Sequence, residues 1–145
     1  MHPAAQRFFA MHAGDQKKVQ IRLCEQALEV WEKLVRKDLK YRESVLGSRQ
    51  CFNAKLPRMV FNAVLSGLYA EDLDTLYREP LVALQDDDIR LPDEAEFAYY
   101  AIRNLFVAHV LRRPTDPWLI INQALSAIGE DKAIAALDDA VGSVD

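Results

Sequence analysis

Three polar side chains interrupt an otherwise apolar run between Leu91 and Leu111. They are Arg103, Asn104 and His109, in the sequence LPDEAEFAYYAIRNLFVAHVL. An imidazole suits proton transfer near neutral pH, so a pattern ending on histidine could carry catalysis. A helix sets residues six apart about 600° around its axis, hence about 120° apart in projection. Arg103 and His109 would then not share a face within one chain. The structural alternative gives each a local partner. Arg103 pairs with Glu96 or another acid, or bonds Tyr99, and His109 is a satisfied histidine near the helix end.

Other chemistries have less to stand on. Histidine is confined to His2, His12 and His109, and no two of them have metal-ligand spacing. There is no CxxC and no HExxH. The acidic loop Asp86-Asp87-Asp88 does not make a calcium hand. Counted from Asp86, the sixth position is Leu91 rather than Gly and the twelfth is Phe97 rather than Glu. A solvated loop with capping acids fits it better than a loose Mg²⁺ site with Asp93. No Gly-rich phosphate loop or nucleophile elbow is present. The sequence therefore points to no cofactor and no metal.

The stretch Arg103-Asn104-Leu105-Phe106-Val107-Ala108-His109 resembles the Arg–polar–x–x–x–x–His signature of the HEPN superfamily. That resemblance implies a small α-helical domain and, for many members, a metal-independent ribonuclease working as a dimer. It would have Arg103 stabilise phosphate charge, His109 act as general acid or base, and Asn104 orient them. A dimer could supply the second pair. The spacer Leu105-Phe106-Val107-Ala108 is wholly apolar, as in a buried helix, which favours the structural alternative.

The surrounding elements read as helices. Pro92 fits a first helical position, and Asp93, Glu94 and Glu96 face the positive end of the helix dipole. The rest of that helix is apolar on almost every side, so it should lie at the centre of the fold. Residues 3–13 form a short helix around Phe8, Phe9 and Met11, ended by Gly14, with Asp15 capping the next. From Gln16 to about Leu46, spacings of three and four predict one long amphipathic helix, or two with a kink. Its stripe holds Val19, Leu23, Ala27, Val30 and Leu34, widened by Ile21, Leu28, Trp31, Val35 and Leu39.

Residues 48–57 read as a connection, with Pro57 just inside a short helix from Arg58 to Leu68. A helix from Glu71 to Leu84 should kink or break at Pro80. Arg112-Arg113-Pro114 ends the central helix. Thr115 or Asp116 caps a helix from Pro117 to Ile128, Gly129 ends it, and a last helix runs from Glu130 to about Val141 on Ala133, Ile134, Leu137 and Val141. No segment shows sustained period-two alternation bounded by hairpin turns. The expectation is one all-α domain over residues 1–145, a bundle of five to seven helices.

Half of the 145 residues are hydrophobic and 28% are charged, enough for a substantial core. No apolar run is long and uncharged enough for a membrane span. The first residues lack the apolar core of a signal peptide. Cys24 and Cys51 suit reduced thiols in a cytoplasmic protein better than a disulfide framework. Net charge is −4 but unevenly spread. Residues 1–58 hold 12 Lys and Arg against 6 Asp and Glu, whereas residues 59–145 hold 6 against 16. The window 71–96 alone carries 10 acids and 2 bases. Such asymmetry bears on partners. The basic stretch 17–58 includes Trp31, Tyr41 and Phe52, which raises nucleic acid. Trp31 belongs to the apolar stripe, however, and Glu25, Glu29 and Glu32 dilute the field, which argues against it.

A long helix with Leu23-Cys24-Glu25 and Trp31-Glu32-x-Leu34, an acidic stretch, then a helix led by Pro92-Asp93, looks like small helical bacterial proteins of the YjaG type. It is also similar in style to immunity proteins that neutralise toxins. Both comparisons imply a protein that works by binding. The leading expectation is a non-catalytic module, immunity- or antitoxin-like, whose acidic surface occludes a basic toxin or enzyme cleft. Its candidate contacts are Glu71, Asp72, Asp74, Glu79, Asp86, Asp87, Asp88, Asp93 and Glu94. The alternatives are a HEPN-like ribonuclease dimer, and a self-associating structural protein that sets its basic and acidic halves against each other.

Overall fold

The computed structural model describes residues 2–35, 40–45, 48–67 and 91–144. Among them are α1 (Pro3–Ala10), α2 (Ala13–Leu34), β1 (Lys40–Val45), β2 (Ser48–Asn53), α3 (Leu56–Ser66), α4 (Asp93–His109), α5 (Pro117–Ile128) and α6 (Glu130–Gly142). The six helices form the all-α bundle that the apolar periodicity predicts, with one small hairpin appended. The helix expected from Glu71 to Leu84, with its break at Pro80, lies outside the described residues.

Helix ends follow from local chemistry. His2 caps α1, its Nδ1 accepting from the Ala4 N–H at 3.2 Å. The boundary expected at Gly14 falls earlier. Met11 already leaves the helix, His12 is the cap of α2, and Gly14 is its second residue. Asp15 is therefore a first-turn acid rather than a cap. Its carboxylate meets the positive helix end and lies 2.9 Å from His12 Nε2 and 3.7 Å from Lys18 Nζ. At α5 the expected cap is in place, with Asp116 Oδ1 accepting from the Trp118 N–H at 3.0 Å and Pro117 first in the helix. Gly67 and Gly129 close α3 and α5 at φ 69° and 104°, where a Cβ is strained. After α4 that conformation falls to Arg112, at φ 54°.

The long second helix is shorter than its periodicity suggests. It stops at Leu34, where Val35 turns extended and its N–H bonds the Trp31 carbonyl at 2.9 Å. Beyond Val35 the apolar stripe of the sequence continues only at Leu39. Residues 40–53 instead form an antiparallel pair, with Tyr41 opposite Phe52 and Val45 opposite Ser48. Two residues separate the strands, the length of the tightest hairpin connection, and one of them is Gly47. The segment read as a connection at 48–57 is thus mostly β2.

The core is built on α4, which packs against α2, α3 and α5. It buries Ala95, Ala98, Tyr99, Ala101, Ile102, Leu105 and Phe106. The expectation of apolar cover on every side holds only in part, because Phe97 remains 41% exposed. α2 contributes Val19, Leu23, Cys24, Ala27, Leu28 and Trp31. Leu34, expected on the stripe, is exposed instead. Alanines on α2, α4 and α5 let the helices approach closely, and the Cys24 Sγ reaches the Ala101 carbonyl at 3.9 Å. Trp31 donates to the Ala54 carbonyl at 2.7 Å and lies 6.0 Å from the Tyr99 ring, joining α2 to the start of α3 and to α4. Arg58 grips the Glu32 carboxylate with two donors. On α6 the buried side is Ala136, Leu137, Ala140 and Val141, so Ile134, expected in the core, is 61% exposed.

This packing orders two substitutions. Ile102→Ala, in the centre of α4, should cost about 2–5 kcal/mol through the cavity it leaves. Asp116→Ala, which removes one exposed cap bond, should cost about 1 kcal/mol. Urea denaturation measures both, and equal losses would contradict the central place of α4.

Candidate functional site

The polar residues of α4 are held by two different neighbours. Asn104 donates from Nδ2 to Gln123 Oε1 on α5 at 2.7 Å. His109, at the helix C-terminus, has its Nε2 2.6 Å from Gln20 Oε1 on α2. Gln20 is 3% exposed, and its Nε2 donates to the Pro117 carbonyl at 3.1 Å. That carbonyl can only accept, so the Gln20 amide nitrogen must face it and the amide oxygen must face His109. His109 therefore carries its proton on Nε2. One buried amide thus ties the start of α2 to the end of α4 and the start of α5.

Burial and, secondarily, the positive charge of Lys17 lower the His109 pKa to about 4. The ring is therefore neutral at physiological pH, and its Nε2–H is committed to Gln20. Arg103 does not join it. The Arg103 Nε is buried with no hydrogen-bond partner among the described residues. Asn104 and His109 are thus held by Gln123 and Gln20 respectively, not gathered at one centre. The satisfied-histidine alternative describes His109 as it stands.

The acidic candidates divide into two sets. Asp93 and Glu94 are exposed on the first turn of α4. Glu71, Asp72, Asp74, Glu79, Asp86, Asp87 and Asp88 lie outside the described residues. Among the described residues no group of three or more His, Cys, Asp or Glu could hold a metal ion. Cys24 is fully buried, and desolvation pushes its thiol pKa far up, so it is inert as a nucleophile. A cleft of about 320 Å³ opens between α2 and α3, lined by Glu32, Val35, Ala54 and Lys55. Arg58 already engages its carboxylate.

Gln20 escaped the sequence reading, although it had a signal. Gln20, Cys24, Ala27 and Trp31 follow helical spacing, so a polar amide occupies a position on the buried stripe. Gln123 had no such mark.

Two outcomes follow from the bridge. Gln20→Leu keeps the volume but leaves two partners unmade, and should cost about 1–3 kcal/mol. The second outcome concerns pH. Between about pH 6.5, where an unfolded histidine titrates, and about pH 4, the unfolded chain binds a proton that folded His109 refuses. This contribution to stability is complete above the upper limit and is lost as pH falls through the window. It should amount to about 1 kcal/mol, reduced by the ring's partial exposure to water. His109→Gln, which can still donate to Gln20, should flatten the slope over this window in urea denaturation at a series of pH values.

No protein-family model matches this sequence, no curated protein aligns with it significantly, and no solved structure matches it significantly.

Proposed function

We propose that this chain is a non-catalytic protein-binding module, immunity- or antitoxin-like, that blocks a basic toxin or enzyme cleft with an acidic surface. The observation that carries the reading is the concentration of acid in one sequence window, 10 acids against 2 bases over residues 71–96. The described end of that window supports it, since Asp93 and Glu94 face solvent at the start of α4. Opposed charge would speed encounter and fix register, while a few apolar contacts supply most of the affinity. Occlusion needs no reacting group. The buried bridge at Gln20 would serve it by keeping the bundle stiff, so that little order is lost on binding.

A ribonuclease centre at Arg103, Asn104 and His109 draws less support. Two of the three are spent on hydrogen bonds between helices, and His109 is neutral with its proton committed to Gln20.

The test is capture of partners by the tagged protein from its native cells at low and high salt, read by mass spectrometry. A stoichiometric basic protein that is lost at high salt is the expected result. Reversing Asp86, Asp87 and Asp88 to Lys should abolish its capture. Undiminished capture by that variant would refute the acidic surface, and intact bait with co-purified RNA would favour the ribonuclease.

A further inference from the structure

Four segments meet at one corner of the bundle. Gln16 on α2 donates to the Phe8 carbonyl of α1 at 3.1 Å, and Gln20 links α2 to Pro117 of α5 and His109 of α4. On this frame the Phe9 and Trp118 rings lie against each other, tilted by 34°, with centroids 5.2 Å apart. Phe9 is 50% exposed and Leu119 39%, so the corner presents a small apolar surface. Lys17 lies close enough to His109 to lower its pKa, and Lys18, Arg112 and Arg113 are exposed on the same segments. Lys17, Lys18, Arg112 and Arg113 outnumber the acids on the same segments, Asp15, which pairs with Lys18, and Asp116, so the apolar surface sits in a net positive setting, on backbone pinned by a buried amide.

The opposite end of α4 has the complementary character. Asp93, Glu94 and Glu96 are exposed there, beside Phe97. Seventeen residues separate the two ends, about 25 Å of rigid helix. Within one chain the acidic end cannot reach the basic corner. Between two chains it can.

We propose that the Phe9–Trp118–Leu119 corner is a self-association surface that receives the acidic start of α4, with Phe97, from a second copy of this chain. Two copies lying with their α4 helices antiparallel make the contact twice, which closes the assembly as a dimer. Opposite charges fix the antiparallel order, because the parallel one sets like ends together. This goes beyond the reading above, which concerns a foreign basic protein, and the two can fail separately.

Sedimentation equilibrium of the purified protein alone tests it. A dimer is expected at low salt, with affinity about tenfold or more weaker at high salt. Phe9→Ser with Leu119→Ser should give a monomer, and so should Glu94→Gln with Phe97→Ser, each checked for fold by circular dichroism. Mixed, these two variants should associate more weakly than the wild type but more strongly than either alone, because one of the two contacts then joins an intact acidic end to an intact corner. Lys18→Glu, at an exposed site, should weaken the dimer without threatening the fold, and serves if either double variant unfolds. A wild-type protein that stays monomeric at low salt overturns the proposal. So does a dimer that ignores these substitutions, or a mixture that fails to associate.

Discussion

The constraint on which this structure depends is the desolvation of α4. A helix with seven buried positions and neighbours on α2, α3 and α5 keeps that surface from water only when all three neighbours are in place. Alanine is the device that makes the enclosure tight. Ala98 and Ala101 on α4, Ala27 on α2 and Ala124 on α5 are all fully buried. They remove side-chain bulk where helices come close, while Trp31, Tyr99, Phe106 and Ile102 fill the wider gaps. Small and large residues alternate in space, which is how an interior reaches high density without strain.

Such a core is apolar and therefore slippery. Helices packed by hydrophobic contact alone can slide, because the attraction has no direction. Gln20 supplies the missing direction. Its amide is nearly fully buried, so both of its polar ends must be satisfied, and only one arrangement of α2, α4 and α5 satisfies them. A buried hydrogen bond contributes little net stability but is costly to break, so it selects register more than it adds strength. The Trp31 bond to the Ala54 carbonyl does similar work at the other end of α2. Asn104 and Gln123 add a third fixed point, between α4 and α5.

What could be read from the sequence follows from how local each signal is. Caps and breakers act over three or four residues, so Asp116, Pro117 and Gly129 announced their helix ends. The start of α2 was misread because Asp15 is a good residue both at a cap and two residues into a helix. The hairpin was missed for a different reason. Charged residues at 36–43 fit the polar face of a helix as well as they fit a strand, and Glu43 breaks the every-second-residue apolar pattern between Tyr41 and Val45. What decided it was that the apolar stripe had run out after Val35. Ile134 shows the limit of ranking residues by hydrophobicity, since α6 buries Ala136 and Ala140 beside Leu137 and Val141 and leaves Ile134 exposed. For the polar residues of α4, the sequence could place Arg103 and His109 on different faces. It could not show that Gln20 and Gln123, 89 and 19 residues away from their partners, would occupy His109 and Asn104.

The same long-range bonds bear on what His109 can do. A histidine at the end of an apolar helix invites a catalytic reading, because an imidazole is the most versatile proton carrier near neutrality. Yet a proton carrier must be able to exchange its proton with solvent or substrate, and it works best with a pKa near the working pH. His109 meets neither condition. Its Nε2–H is held by a buried amide, and its pKa is lowered to about 4. The group most suggestive of chemistry thus bolts α2 to α4, and the exposed part of α4 is its acidic first turn with Phe97. Rigid helix holds that turn about 25 Å from the bridge at His109. A stiff, largely apolar rod inside a small bundle holds its exposed first turn in one place, so that little order would be lost when that turn met another surface.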